Sequence, residues 1–145
     1  MRAARGFTLI EMLVVVAIIS VLSVAAVLLA PPSEAQLAER EASRLAALLE
    51  LALVEAHATG KAIAWQPTPR GYAFARKNED GEWARIADGS MLRARTLPGE
   101  TRLQAESVTL APYGLGSPIE ARIVGGGRQI ILRGGVIGRI SLERL

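Results

Sequence analysis

The 145-residue sequence has no cysteine and one histidine, His57, and only 4% of it is aromatic. Without cysteine it can form no disulfide, thiolate metal site or cysteine nucleophile. With one histidine, any Ser-His-Asp relay would need His57 as its base. Excess charge of one sign is scarce too. The net charge is +3, Arg2 and Arg5 supply two of those charges, and after Gly6 there are 15 basic and 14 acidic residues. A basic isoelectric point on that footing does not by itself imply a nucleic-acid partner. The 14 glycines and 7 prolines follow no period, which excludes collagen-like and low-complexity classes. The length suits one small domain with an appendage and excludes a multi-domain enzyme.

What is present is unevenly spread. Phe7–Ala30 holds 20 apolar residues in 24 positions, against a normal soluble composition elsewhere. As a helix this run would span roughly 36 Å, enough to cross a hydrocarbon core of about 30 Å. Arg2 and Arg5 precede it, and no basic residue follows before Arg40. The positive-inside rule therefore puts the N-terminus in the cytoplasm and the remainder outside. A secretory signal peptide competes with this reading, with cleavage near Ser23-Val24-Ala25. Against it stand the length of the run and the carboxylate Glu11 inside it. An intramembrane acid costs about 2.5–3.5 kcal/mol on insertion scales and is a functional candidate, although an interfacial, snorkelling Glu11 with no role fits the residues equally well.

The run Arg5-Gly6-Phe7-Thr8-Leu9-Ile10-Glu11-Met12-Leu13-Val14-Val15-Val16 resembles the N-terminus of type IV pilins and pseudopilins. The resemblance implies a basic leader, Met1–Gly6, removed by a prepilin peptidase between Gly6 and Phe7. It also implies N-methylation of Phe7 and an assembly role for Glu11. In a filament, the N-terminal amine of one subunit would meet the Glu11 carboxylate of a neighbour. At 4 Å such a pair is worth about 4 kcal/mol at an effective dielectric near 20, before desolvation. The expected organisation is a leader over 1–6, a membrane and filament-core helix over 7–30, and a periplasmic globular domain over 31–145. The mature protein would have 139 residues and be close to neutral.

Pro31-Pro32 predicts a kink or break. Many pilins have a helix-kinking proline a few residues earlier, so this pair departs from that pattern. Ser33-Glu34-Ala35-Gln36 then reads as a capping box. Leu37, Leu45, Leu48, Leu49, Ala52 and Ala56 recur at helical steps, predicting an amphipathic helix to about Ala58, closed by Gly60. Strands are expected at Lys61–Gln66, Tyr72–Lys77, Trp83–Ile86, Val108–Pro112, Ile119–Val124, Gln129–Leu132 and Val136–Leu142. Pro67–Gly71, Asn78–Gly81, Gly125–Gly127 and Gly134-Gly135 would form turns, and Asp88–Arg102 a loop. The expected class is α+β: one long helix on an antiparallel sheet.

The distal residues extend the resemblance over the whole chain, through weaker motifs. Glu55-Ala56-His57-Ala58-Thr59-Gly60 leads from helix to strand. Trp83, Leu92-Arg93, Leu97-Pro98, Tyr113-Gly114-Leu115-Gly116-Ser117-Pro118 and Gly138-Arg139-Ile140 follow. Together these are similar to the GspH/FimT group of minor pseudopilins and minor pilins, and within it to the type II secretion protein H pattern. That implies a minor pseudopilin of a periplasmic pseudopilus in a type II secretion system. Its partners would be the prepilin peptidase, the major and other minor pseudopilins, the inner-membrane secretion platform and membrane lipid.

No catalytic set, cofactor site or metal site emerges. His57 near a helix C-terminus reads as structural. Glu79, Asp80 and Glu82 read as a solvated hairpin tip, with weak calcium binding as the alternative. Gly125-Gly126-Gly127-Arg128 lacks a phosphate loop's Gly-Lys-Ser/Thr ending and reads as a β-turn. Trp65 and Trp83 read as core or strand-face residues. The last 25 residues hold Arg122, Arg128, Arg133, Arg139 and Arg144 against Glu143 alone. In the same group, competence-related minor pilins bind DNA through a C-terminal Gly-Arg motif. Arg128, Arg133 and Arg139 are therefore candidate DNA contacts, and a DNA-uptake minor pilin is the alternative function. The absence of aromatics after Tyr113 makes nucleic acid the less favoured partner. A membrane-anchored periplasmic enzyme is a third reading, disfavoured because no catalytic set is present.

Overall fold

The computed structural model describes residues 8–115, 118–135 and 139–145. The chain divides into two units, 1–32 and 33–145. The first contains helix α1, Leu9–Leu29. It is long and apolar enough to cross a membrane, and none of its residues is buried by the protein. Its N-cap is Thr8, whose Oγ1 accepts from the Glu11 backbone N–H at 3.3 Å. Ser20 and Ser23 donate their hydroxyls back to the Val16 and Ile19 carbonyls at 2.7 and 2.8 Å. Those donors are thus satisfied within the helix, as an apolar solvent requires. Ala30, the C-cap, is extended at φ −62 and ψ 131, the conformation that a following proline favours. Pro31-Pro32 is therefore a break between helices, with no helical residue until Glu34.

The second unit opens with α2, Glu34–Thr59. The expected capping box is present: Ser33 Oγ accepts from Gln36 N–H at 3.3 Å, and Gln36 Oε1 accepts from Ser33 N–H at 3.0 Å. Gly60 closes the helix in the left-handed region, at φ +66. The buried stripe is Ala38, Glu41, Ala42, Leu45, Ala46, Leu49, Ala52 and Ala56. It is richer in alanine than the expected leucine stripe. Leu37 and Leu48 lie half-buried at its border.

All strand pairs are antiparallel, but there are two sheets where one was expected. The strands of the first are β1 (Ile63–Thr68), β2 (Gly71–Lys77), β3 (Trp83–Arg85), β4 (Arg95–Thr96), β6 (Val108–Ala111) and β7 (Gly114–Leu115). They run β3-β2-β1-β6-β7, with β4 also pairing with β2. The second sheet runs β10-β9-β8-β5 through Ile140–Arg144, Arg128–Gly134, Ile119–Gly125 and Arg102–Ala105. Strand β5 falls where a loop was expected to end. Its alternating exposed Arg102, buried Leu103, exposed Gln104 and half-buried Ala105 is a period-two pattern. The expected strand from Val136 is described only from Ile140, because 136–138 lie outside the described residues.

Helix α2 packs across β8, β9 and β10 and reaches β1 and β6. Trp65, Phe74, Leu45, Leu49, Ile63, Leu110, Ile119, Ile123 and Leu132 fill the space between helix and sheets. Leu92 and Leu97 anchor the long segment before β5 in the same core. Among the described residues, every buried hydrophobic side chain lies between Ala38 and Leu132, so the unit 33–145 carries its own core.

Candidate functional site

Glu11 is the sole acid of α1 and sits in its first turn. That turn presents unpaired backbone N–H groups and the positive end of the helix dipole, which favour a carboxylate there. The side chain is exposed on the unit surface, where another molecule can reach it. Gly6 and Phe7, the expected processing and methylation residues, lie outside the described residues.

In the globular unit, the first turn of α2 is held from three sides. Glu34 Oε2 accepts from the Glu100 backbone N–H at 2.9 Å. The capping box satisfies its own end. The β8–β9 turn then rests against it: Gly126 and Gly127 take φ +55 and +76, the two left-handed residues of a type I′ hairpin between Gly125 and Arg128. A Cβ on Gly126 would collide with Ala35 N and the Glu34 backbone. The glycine run is therefore a turn, as expected, and also a packing device.

The arginines near the C-terminus are largely ion-paired. Glu39, from α2, accepts from Arg144 Nε at 2.8 Å and lies 3.5 Å from Arg128. Arg133 pairs with Glu143 at 2.5 Å and approaches Glu120 at 3.7 Å. Arg139 is exposed. Two of the three candidate DNA contacts, Arg128 and Arg133, thus have carboxylate partners. Counting charge along the C-terminal residues missed Glu39 and Glu120, which the fold brings in from α2 and β8.

The acidic turn Asn78–Gly81 is a hairpin tip. Asn78 Oδ1 accepts from Glu82 N–H at 2.7 Å, and Lys61 bridges to Glu79 at 3.1 Å. Among the described residues, no three carboxylate or histidine side chains gather as a metal site. His57 lies exposed in the last turn of α2, its Nδ1 3.1 Å from the Leu53 carbonyl oxygen. Trp65 is buried, whereas Trp83 is 45% exposed on its strand face.

One buried charge escaped the sequence reading. Glu41 is 4% exposed and receives two hydrogen bonds from Arg95, at 2.6 and 2.8 Å. The pair ties β4 to α2. Those bonds push the Arg95 pKa further up. Tyr72 sits beside it, and burial, reinforced by the Glu41 charge, pushes its phenol up to about 12. Glu41 falls at a helical step within the alanine stripe, and that position was the available signal.

Residues 1–27 match the prokaryotic N-terminal methylation motif. The minor pseudopilin EpsH from the type 2 secretion system of Vibrio cholerae superposes with a TM-score of 0.61 at 18% identity, over 74% of this chain and 95% of that one. A second crystal structure of the same protein gives 0.61 at 16% identity, over 75% and 93%. The chain has a minor-pseudopilin fold behind an N-terminal methylation motif. No curated protein matches its sequence.

Proposed function

We propose that this protein is a minor pseudopilin, a non-enzymatic structural subunit of the periplasmic pseudopilus of a type II secretion system. The observation that carries the reading is the joining, in one chain, of the methylation motif over residues 1–27 to a domain folded like a minor pseudopilin. Cleavage after Gly6 and methylation of Phe7 would leave α1 attached and held in the inner membrane, the N-terminus cytoplasmic and 33–145 periplasmic. Its partners would be the prepilin peptidase, the major pseudopilin, other minor pseudopilins and the inner-membrane platform. Glu11 would pair with the N-terminal amine of a neighbour and set axial register, while apolar helix packing supplies adhesion.

The glutamate partners of Arg128, Arg133 and Arg144 favour this reading over DNA uptake, since carboxylates already occupy those guanidinium groups. A deletion strain separates the two. Loss of protein secretion, restored by the wild-type gene, is the expected result. Intact secretion with lost DNA uptake would overturn the proposal.

A further inference from the structure

Helix α2 carries Arg40 and Arg44, both exposed and one helical turn apart. Like charges at that spacing destabilise a helix. Arg93, exposed on the segment between β3 and β4, lines the same hollow as Arg44. Among the described residues, none of these three arginines has an ion-pair partner, although eight other pairs form across the unit. The hollow has a volume of about 230 Å³, and Leu48, Met91 and Arg95 complete its lining. Met91 is 72% exposed, an apolar side chain held at the rim of a basic depression. Arg40 and Arg44 also line a neighbouring depression along α2. The Glu41 carboxylate is hydrogen-bonded to Arg95, and among the described residues it makes no ion pair with the other arginines.

The hollow thus presents two guanidinium groups, Arg44 and Arg93, with no ion-pair partner among the described residues, beside an Arg95 that holds Glu41. We propose that the hollow receives an acidic side chain, flanked by an apolar one, from another protein subunit. Guanidinium groups bind carboxylates through paired, directional hydrogen bonds, and Leu48 and Met91 supply apolar contact beside them. A nucleic acid fits less well: the hollow accepts one side chain, and none of its lining residues is aromatic. A second copy of this chain is the competing occupant: its acidic turn Glu79–Glu82 is offset by Lys61 and flanked by Lys77, whereas Asp88 and Glu106 are exposed, and the dilution series tests them. The inference rests on the subunit reading above, yet it is tested without filament assembly, so either can fail alone.

The test uses 15N-labelled protein comprising residues 33–145, which carry a complete core. The probe is the blocked peptide Ser-Leu-Glu-Ser-Leu-Glu-Ser, with duplex DNA and a protein dilution series as parallel arms. Saturable, salt-sensitive shifts at Arg44, Leu48, Met91 and Arg93 are expected, and the double variant Arg44→Glu/Arg93→Glu should weaken binding about tenfold or more. The neutral pair Arg44→Gln/Arg93→Gln serves if charge reversal impairs folding. Several results would overturn the proposal: no shifts at these residues, equal binding by the folded variants, tighter binding of DNA there, or self-association through the same arginines.

Discussion

Glu41 on α2 and Arg95 on β4 form a two-hydrogen-bond ion pair in which the carboxylate is almost wholly buried. The pair fixes the segment between β3 and β5 against the helix, together with the buried Leu92 and Leu97. Removing one partner is more harmful than removing both, because a lone buried charge has no solvent to stabilise it. Arg95→Ala should therefore lower stability by about 3 kcal/mol. Replacing both residues, as Glu41→Leu with Arg95→Met, should cost markedly less. Urea unfolding of residues 33–145 checks this, and equal losses in the two variants would contradict it.

Tyr72 gives that region a pH dependence. Its pKa is raised from 10.0 to about 12, chiefly by burial. The folded state thus keeps a proton that the unfolded state releases above about pH 10. The contribution to stability is fully present below pH 10 and is lost as pH rises toward 12, amounting to about 3 kcal/mol at most. The Tyr72 hydroxyl has no hydrogen-bond partner, so Tyr72→Phe should be nearly neutral at pH 7. Unfolding measured from pH 9 to 12 should show a flatter decline in Tyr72→Phe than in wild type.

The β8–β9 turn allows a comparison between adjacent glycines. Both Gly126 and Gly127 have positive φ, so alanine at either pays roughly 1–2 kcal/mol of backbone strain. Only Gly126 also presses on the first turn of α2, whereas a Cβ on Gly127 meets nothing. Gly126→Ala should therefore destabilise clearly more than Gly127→Ala in thermal unfolding. Ser33→Ala, which breaks the capping box at the same helix end, should cost about 1 kcal/mol.

Glu11 is the residue of α1 proposed above to act in assembly. Glu11→Leu should leave membrane insertion intact, because α1 only becomes more apolar. Incorporation into cross-linkable assemblies should fall sharply. Normal incorporation of this variant in cells would remove the role assigned to the carboxylate.

The sequence showed some of this directly. The capping box at Ser33, the stop at Gly60 and the turns at Asn78–Gly81 and Gly125–Gly127 were legible because each is fixed by local backbone chemistry. Helix α1 was legible from composition alone. The division into two sheets was not, because strand period says which residues alternate, not which strands pair. Strand β5 was hidden beside a loop containing Pro98 and Gly99. Glu41 was hidden for a different reason: a charged residue on an apolar stripe becomes intelligible only when its partner, 54 positions away, is brought beside it. The same holds for Glu39, which meets Arg128 and Arg144 only in the folded chain.

In the function proposed above, Phe7 becomes the N-terminus of a retained membrane helix. Intact mass of the full-length protein extracted from membranes tests it directly. The predicted species lacks residues 1–6 and carries one additional methyl group. A species cleaved near Ala25, with α1 removed, would contradict the account.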